Sequence, residues 1–156
     1  ETSGASLISY QDETYPFTID LPSDWFIQEV EDDTYAVLVV SSDSEGDDHA
    51  TIAVVVEALD DEAQLSDVIA TTEQTLAAQY DIEEFNTDLA RPIQINSVPG
   101  EERIYAYRVD SAPVRQRTAY IREGSYLYTI SLVASPALSS RYAELFDGVL
   151  ASFTGA

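Results

Sequence analysis

Phe17-Thr-Ile-Asp-Leu-Pro22-Ser-Asp-Trp25 is the stretch from which the fold can be read. Phe17, Ile19 and Leu21 alternate with Thr18 and Asp20, giving the chain one apolar and one polar face from Tyr15 to Leu21. That is the pattern of a half-buried strand. Pro22-Ser-Asp24 cannot extend a ladder and reads as a turn, and Trp25 opens a second strand that runs to Val30. After Glu31-Asp-Asp33, the apolar run Tyr35 to Val40 makes a third strand. Ser41 to His49 is an acidic loop, and Ala50 to Leu59 is a fourth strand with Ile52, Val54 and Val56 in alternation.

The period then changes. Leu65, Val68, Ile69, Thr72, Leu76 and Tyr80 recur at helical spacing, which predicts a helix over 65–80. Carboxylates from Asp60 to Asp67 favour its N-terminal end, whereas Asp81, Glu83 and Glu84 lie beyond its C-terminal end, where the helix dipole disfavours them. Four more strands are expected at Leu89–Ile95, Glu102–Val109, Val114–Arg122 and Ser125–Ala134. The short links between them, marked by Gly and Pro, call for antiparallel pairing. Ser135-Pro136 caps a closing helix over 136–153, with Leu138, Tyr142, Leu145, Phe146, Val149 and Phe153 on its apolar stripe. The result is an α+β fold: one domain with a single antiparallel sheet of about 7–8 strands against two main helices.

Against that element order, three motifs are similar to those of PsbP/Mog1-like domains. Phe17 to Trp25 resembles the opening signature of the family, an apolar strand ending in Pro, two residues, then Trp. Asn96-Ser-Val-Pro-Gly100 leading into a Tyr-containing strand is a second likeness, and the close Leu150-Ala-Ser152-Phe153 is a third. The family includes extrinsic photosystem II subunits, Mog1 proteins that bind a small nuclear GTPase, and many prokaryotic lipoproteins. The resemblance implies a shared scaffold rather than a shared chemistry. The photosystem members dock through lysine-rich surfaces and long N-terminal extensions, and these residues offer neither. Trp25, beside its turn, is expected to anchor the core.

The charge is unusual. Of 29 acidic residues, 23 fall before Arg91, and all seven basic residues are arginines at 91, 103, 108, 115, 117, 122 and 141. No lysine occurs, and the formal net charge is −22. A GC-rich genome accounts for arginine in place of lysine but not for the acids. Adaptation to a salty medium accounts for both, since carboxylates keep a surface hydrated where the Debye length shrinks to about 3 Å at 1 M salt. Such a surface excludes nucleic acid and anionic membrane as partners through bulk charge. At 45% hydrophobic residues the core remains ordinary and the chain is not of the disordered class.

No apolar run reaches the roughly 20 residues of a membrane span. The small, polar start predicts a flexible tether over residues 1–9 trailing a cleaved signal or a lipid anchor, with one PsbP-like domain over 10–156. The expected location is therefore extracytoplasmic, secreted or lipid-anchored, with any membrane contact made through an upstream anchor.

Few residues offer chemistry. His49 is the sole histidine, and no Gly-x-Ser-x-Gly elbow, Cys cluster or phosphate loop accompanies it. No catalytic residue and no cofactor is expected, and the chain reads as a non-enzymatic accessory or binding domain. A carboxylate-dependent extracellular enzyme survives as an alternative only because acids are everywhere. Asp43, Glu45, Asp47 and Asp48 crowd one loop and form a weak candidate site for calcium or magnesium, although their spacing is not that of an EF-hand. A hydrated hairpin tip is the plainer reading.

The other candidates are for protein binding. Arg103, Tyr105 and Tyr107 alternate on one strand, Arg115 and Arg117 share a face of the next, and Tyr126 and Tyr128 share one on the last. Arg and Tyr are enriched at interface hot spots, so these residues are candidates for a docking face of a subunit in a larger assembly. The competing reading ties the arginines to Glu101, Glu102 and Glu123 and lays the tyrosines under a helix. The acid-rich and arginine-bearing strands are expected to interleave in the sheet, which would mix the two charge regions in space.

Overall fold

The Phe17 alternation forms a strand, Phe17–Pro22 (β2), whose Phe17, Ile19 and Leu21 are all buried. The computed structural model describes residues 7–11, 17–22, 25–31, 35–41, 50–60, 62, 64–79, 82–95, 98–109, 111–123 and 125–155. The remaining described strands are β1 (Leu7–Gln11), β3 (Phe26–Glu31), β4 (Tyr35–Ser41), β5 (Thr51–Ala58), β6 (Ile82–Ile95), β7 (Val98–Val109), β8 (Ala112–Glu123), β9 (Tyr126–Ala134) and β10 (Thr154–Gly155). Three helices, α1 (Leu65–Gln79), α2 (Pro136–Arg141) and α3 (Ala143–Ser152), complete the fold.

The strands form two sheets rather than one. Seven run antiparallel in the order β3-β4-β5-β9-β8-β7-β6, and β2 sits in a separate sheet between β1 and β10. The small sheet exists because β2 needs partners while its apolar face is turned to the core. Leu7–Ser9, expected in the tether, are strand residues that pair with Pro22, Leu21 and Asp20. Their signal is short: Leu7 and Tyr10 are the residues of β1 packed against the core, while Ile8 is exposed.

The main sheet has two unequal faces. On one, Ile52, Val54 and Val56 of β5, Tyr128, Ile130 and Leu132 of β9, and Ala119 and Ile121 of β8 meet β2 and the α3 side chains Phe146, Val149 and Leu150. This is the large core. Alternation places Tyr120 and Leu127 on the other face, where they form a small cluster with Ile69 of α1.

The closing helix is two helices. Ser135 accepts a hydrogen bond from the Leu138 amide and Pro136 starts α2, as expected of the capping pair. The backbone leaves helical geometry at Tyr142 (φ −102°, ψ 13°), whose ring lies edge-on to Trp25 at 5.2 Å. Trp25 is 7% exposed, so it is the core anchor expected of it.

At the end of α3 the Ser152 hydroxyl donates to the Val149 carbonyl and accepts from the Asp20 amide at 2.8 Å, tying helix to β2. Phe153 follows, buried against Phe17 and Tyr128. Gly100 likewise has a local reason. A Cβ there would lie 2.5 Å from the Tyr120 carbonyl oxygen, so β7 and β8 approach this closely only without a side chain.

The strand order sorts the charge only in part. β3, β4 and β5 lie together on one side of the sheet and β9, β8, β7 and β6 on the other, joined where β5 pairs with β9. The separation is incomplete, because Glu84 lies in β6 beside β7 and Glu73 of α1 faces Arg103.

Candidate functional site

The seven Arg and Tyr candidates do not make one surface. In the β7–β8 register Arg103 pairs with Thr118 while Arg117 pairs with Ile104, so side-chain alternation sends the two arginines to opposite faces. Arg103, Tyr105 and Tyr107 share the α1 face. Arg115 and Arg117 lie on the α3 face, as do Tyr126 and Tyr128, since Tyr128 pairs with the core residues Val56 and Ile121.

Beneath α1 the tyrosines belong to polar networks. Tyr105 is 1% exposed; its hydroxyl donates to Glu73 Oε2 on α1 at 3.0 Å and lies 3.0 Å from the Tyr120 hydroxyl. Burial pushes the Tyr105 phenol well above its ordinary value, and the neighbouring Tyr120 and Glu73 push it the same way. Tyr120 is pushed up to about 12, chiefly by burial, with the Glu73 carboxylate adding to the effect. Both phenols stay protonated at neutral pH and serve as hydrogen-bonding groups, not as bases.

Arg103 donates from Nη1 to Glu101 Oε1 at 2.7 Å and holds Nε 3.6 Å from Glu73 Oε2. Tyr107, also buried, donates to Gln116 Oε1 at 2.8 Å. Gln116 Nε2 donates on to Thr118 Oγ1 at 2.9 Å, and Thr118 and Ser131 share a hydroxyl contact of 2.9 Å.

On the opposite face Arg117 is a staple. Its Nε donates to Glu102 Oε2 on β7, Nη2 donates to Asp147 Oδ1 on α3, and its guanidinium sits 5.1 Å over the Phe146 ring. Burial alone would lower the Arg117 pKa, yet the hydrogen bonds and charges of Glu102 and Asp147 carry it above its ordinary value. Glu102 is 2% exposed and so depends on this partner. Tyr128 packs at 4.8 Å from Phe153, and Tyr126 is half-buried beside it.

The competing sequence reading thus describes most of these residues: arginines bound to Glu101 and Glu102, tyrosines packed on the sheet. It does not extend to Glu123, whose buried Oε1 has no hydrogen-bond partner among the described residues. Arg122 instead donates to the Asp60 carbonyl at 2.7 Å. Of the seven candidates, Arg115 is half-exposed and makes no ion pair among the described residues.

Sequence reasoning did not single out Glu73, Tyr120, Gln116 or Asp147. Glu73 and Asp147 had no local signal, because each acquires its role only when a helix is laid across strands distant in sequence. Tyr120 fell within an expected strand, but nothing local marked it as a hydroxyl partner of Tyr105.

The cation-site candidates Asp43, Glu45, Asp47 and Asp48, together with His49, lie outside the described residues. Among the described residues no group of three or more His, Asp or Glu side chains is arranged to hold a metal ion. No described helix is long and apolar enough to cross a membrane.

No protein-family profile matches the chain, and no curated protein does so significantly. Solved structures do. Cyanobacterial PsbP (CyanoP) from Synechocystis sp. PCC 6803 superimposes with a TM-score of 0.72 over 100% of this chain and 98% of its own, at 17% identity. LpqN, involved in cell envelope biogenesis of Mycobacterium tuberculosis, gives 0.63 over 97% and 91% at 15% identity. A protein of unknown function from Pseudomonas aeruginosa gives 0.64 over 96% and 97% at 12% identity. At such identities the likeness establishes the fold, and the fold is PsbP/Mog1-like.

Proposed function

We propose that this chain is a non-enzymatic, extracytoplasmic accessory domain that acts by binding another protein in a salty medium. One observation carries the reading. Of the seven Arg and Tyr residues that sequence alone marked for contact, five are engaged in holding the fold together. Tyr105, Tyr107 and Tyr128 are buried, and Arg103 and Arg117 are ion-paired. The raised phenols Tyr105 and Tyr120 are in the wrong protonation state for proton abstraction at neutral pH.

The likeness to CyanoP and to LpqN, a protein of envelope biogenesis, supports an extracytoplasmic setting. The net charge of −22 supports a salty one, because such a surface repels itself at low ionic strength. The experiment is a thermal melt between 0.1 M and 2 M KCl combined with a panel of esterase, glycosidase, phosphatase and peptidase substrates. The reading predicts a melting temperature that climbs with salt and no turnover. A flat melt removes the salt adaptation, and turnover of any substrate removes the non-enzymatic assignment.

A second reading, a subunit docked in a larger assembly through its arginine-bearing strands, rests on Arg115. This side chain is half-exposed on the α3 face, without an ion pair among the described residues, in the half of the sheet that holds the arginines. A cation left open in so acidic a protein is suited to a carboxylate on a partner. Arg115→Glu would reverse that complementarity, and unchanged partner retention by this variant would remove the reading.

A further inference from the structure

We infer that α1 is a lid, latched to the sheet through Glu73, that lifts while the core on the opposite face stays formed. The two faces are built to very different strengths. Among the described residues, nineteen buried side chains make the α3-side cluster, whereas three, Ile69, Tyr120 and Leu127, make the α1-side cluster, bordered by Leu59, Leu65 and Val68. Among the described side chains of α1, Ile69 alone is fully buried. An element with so little apolar burial opens at a smaller free-energy cost than the whole domain.

Among the described residues, a polar hold on α1 gathers at one side chain. Glu73, near the middle of the helix, takes the Tyr105 hydroxyl at 3.0 Å and faces Arg103 Nε at 3.6 Å. The approach to α1 is fixed separately. Leu59 N donates to Ser125 O at 2.7 Å, and Arg122 Nη2 donates to Asp60 O at 2.7 Å, pinning the chain before the helix to the β8–β9 turn. The helix therefore has a secured N-terminal approach and a releasable middle, the arrangement of a hinge and a latch.

The α1 face of the sheet also suits opening. The row Tyr107, Gln116, Thr118 and Ser131 consists of hydroxyls and an amide already bonded to one another at 2.8–2.9 Å. Such groups accept water when uncovered, whereas an apolar face would resist it. The large core, tied across its own face by Arg117 and Ser152, does not depend on α1.

Native-state hydrogen exchange on the full chain tests the lid. In the parent, α1 amides are expected to exchange faster than those of β9 and α3. Tyr105→Phe, which deletes the latch hydroxyl with little change in packing, is expected to lower α1 protection about tenfold and to leave β9 and α3 protection unchanged. Glu73→Ala, at a partly exposed position, should reproduce the pattern and serves if Tyr105→Phe folds poorly. Parent α1 amides that exchange as slowly as those of β9 would overturn the inference. So would variants that lower protection in α1, β9 and α3 by one common factor.

Discussion

Arg117→Met is expected to be among the most damaging single substitutions in this protein, and its magnitude follows from the Glu102 carboxylate. Methionine keeps much of the apolar stem, so the change isolates the charge. Glu102 is 2% exposed, and without the guanidinium its carboxylate stays buried and loses the Arg117 charge that pairs with it. Breaking one half of a buried pair costs about 3–5 kcal/mol. The Phe146 contact at 5.1 Å adds roughly 0.5–1 kcal/mol. Asp147, with its side chain 59% exposed, adds at most about 1 kcal/mol, because a solvated carboxylate loses little when its partner leaves.

A loss toward the lower end of the combined range, about 4 kcal/mol, should appear in urea unfolding at fixed 2 M KCl as a lower midpoint with an unchanged slope. In a domain of this size it also lowers the melting temperature by roughly 8–16 °C. Glu102→Leu combined with Arg117→Met removes the buried carboxylate as well and should recover more than half of the loss, since apolar replacement of a whole buried pair is often nearly neutral. The reasoning fails if Arg117→Met alone costs less than about 1 kcal/mol, or if the double variant is no more stable than the single one.

Three further expectations follow from local geometry. Gly100→Ala should destabilise by about 2–3 kcal/mol in the same assay, because its Cβ would meet the Tyr120 backbone oxygen at 2.5 Å and backbone cannot rotate away; a neutral result would refute the close approach. Ser111→Gly should raise stability slightly, by about 0.5 kcal/mol, since Ser111 holds φ at 70° in the β7–β8 turn, and a loss of stability would contradict this. Alkaline pH should weaken the fold. Tyr120 has a folded value of about 12 against 10.0 for the free phenol, so the folded state holds its proton longer. Its stabilisation is complete below pH 10 and falls by about 3 kcal/mol as pH rises to 12, a slope that Tyr120→Phe should reduce in urea titrations.

Much of the architecture was legible because burial writes a period into the chain. Phe17, Ile19 and Leu21, then Ile52, Val54 and Val56, alternate because each strand has one face on the large core. Leu65, Val68 and Ile69 revealed α1 for the same reason. The parts that stayed hidden lack such a face. β1 places two side chains on the core, and the first half of β6, Ile82-Glu-Glu-Phe-Asn-Thr-Asp88, belongs to an edge strand with register shifts. The break at Tyr142 was equally silent, since α2 and α3 share one apolar stripe and the backbone turns there beside Trp25, a residue more than a hundred positions away.

The Arg and Tyr pattern shows what strand alternation can and cannot supply. It placed Arg103 with Tyr105 and Arg115 with Arg117 on common strand faces, as observed. It could not say that adjacent strands set these pairs on opposite sides of the sheet, which depends on register, nor that α1 would cover one set and α3 staple the other. Sheet order was also beyond it. The pairing of β5 with β9 keeps the arginine-bearing strands together, and nothing local in either strand dictates that choice.

The claim at the centre of this account is that the domain works by contact, and its docking reading places that contact at Arg115, which makes no ion pair among the described residues, while Arg117 serves the fold. A paired measurement tests it: melting temperature, and proteins retained at molar KCl from an envelope extract of the source organism, for Arg115→Glu and Arg117→Met. The account predicts that Arg115→Glu melts within about 2 °C of the parent, as expected for a surface change, and loses the partners the parent retains. Arg117→Met should melt far lower and, where still folded, keep them. Full partner retention by Arg115→Glu would contradict the account.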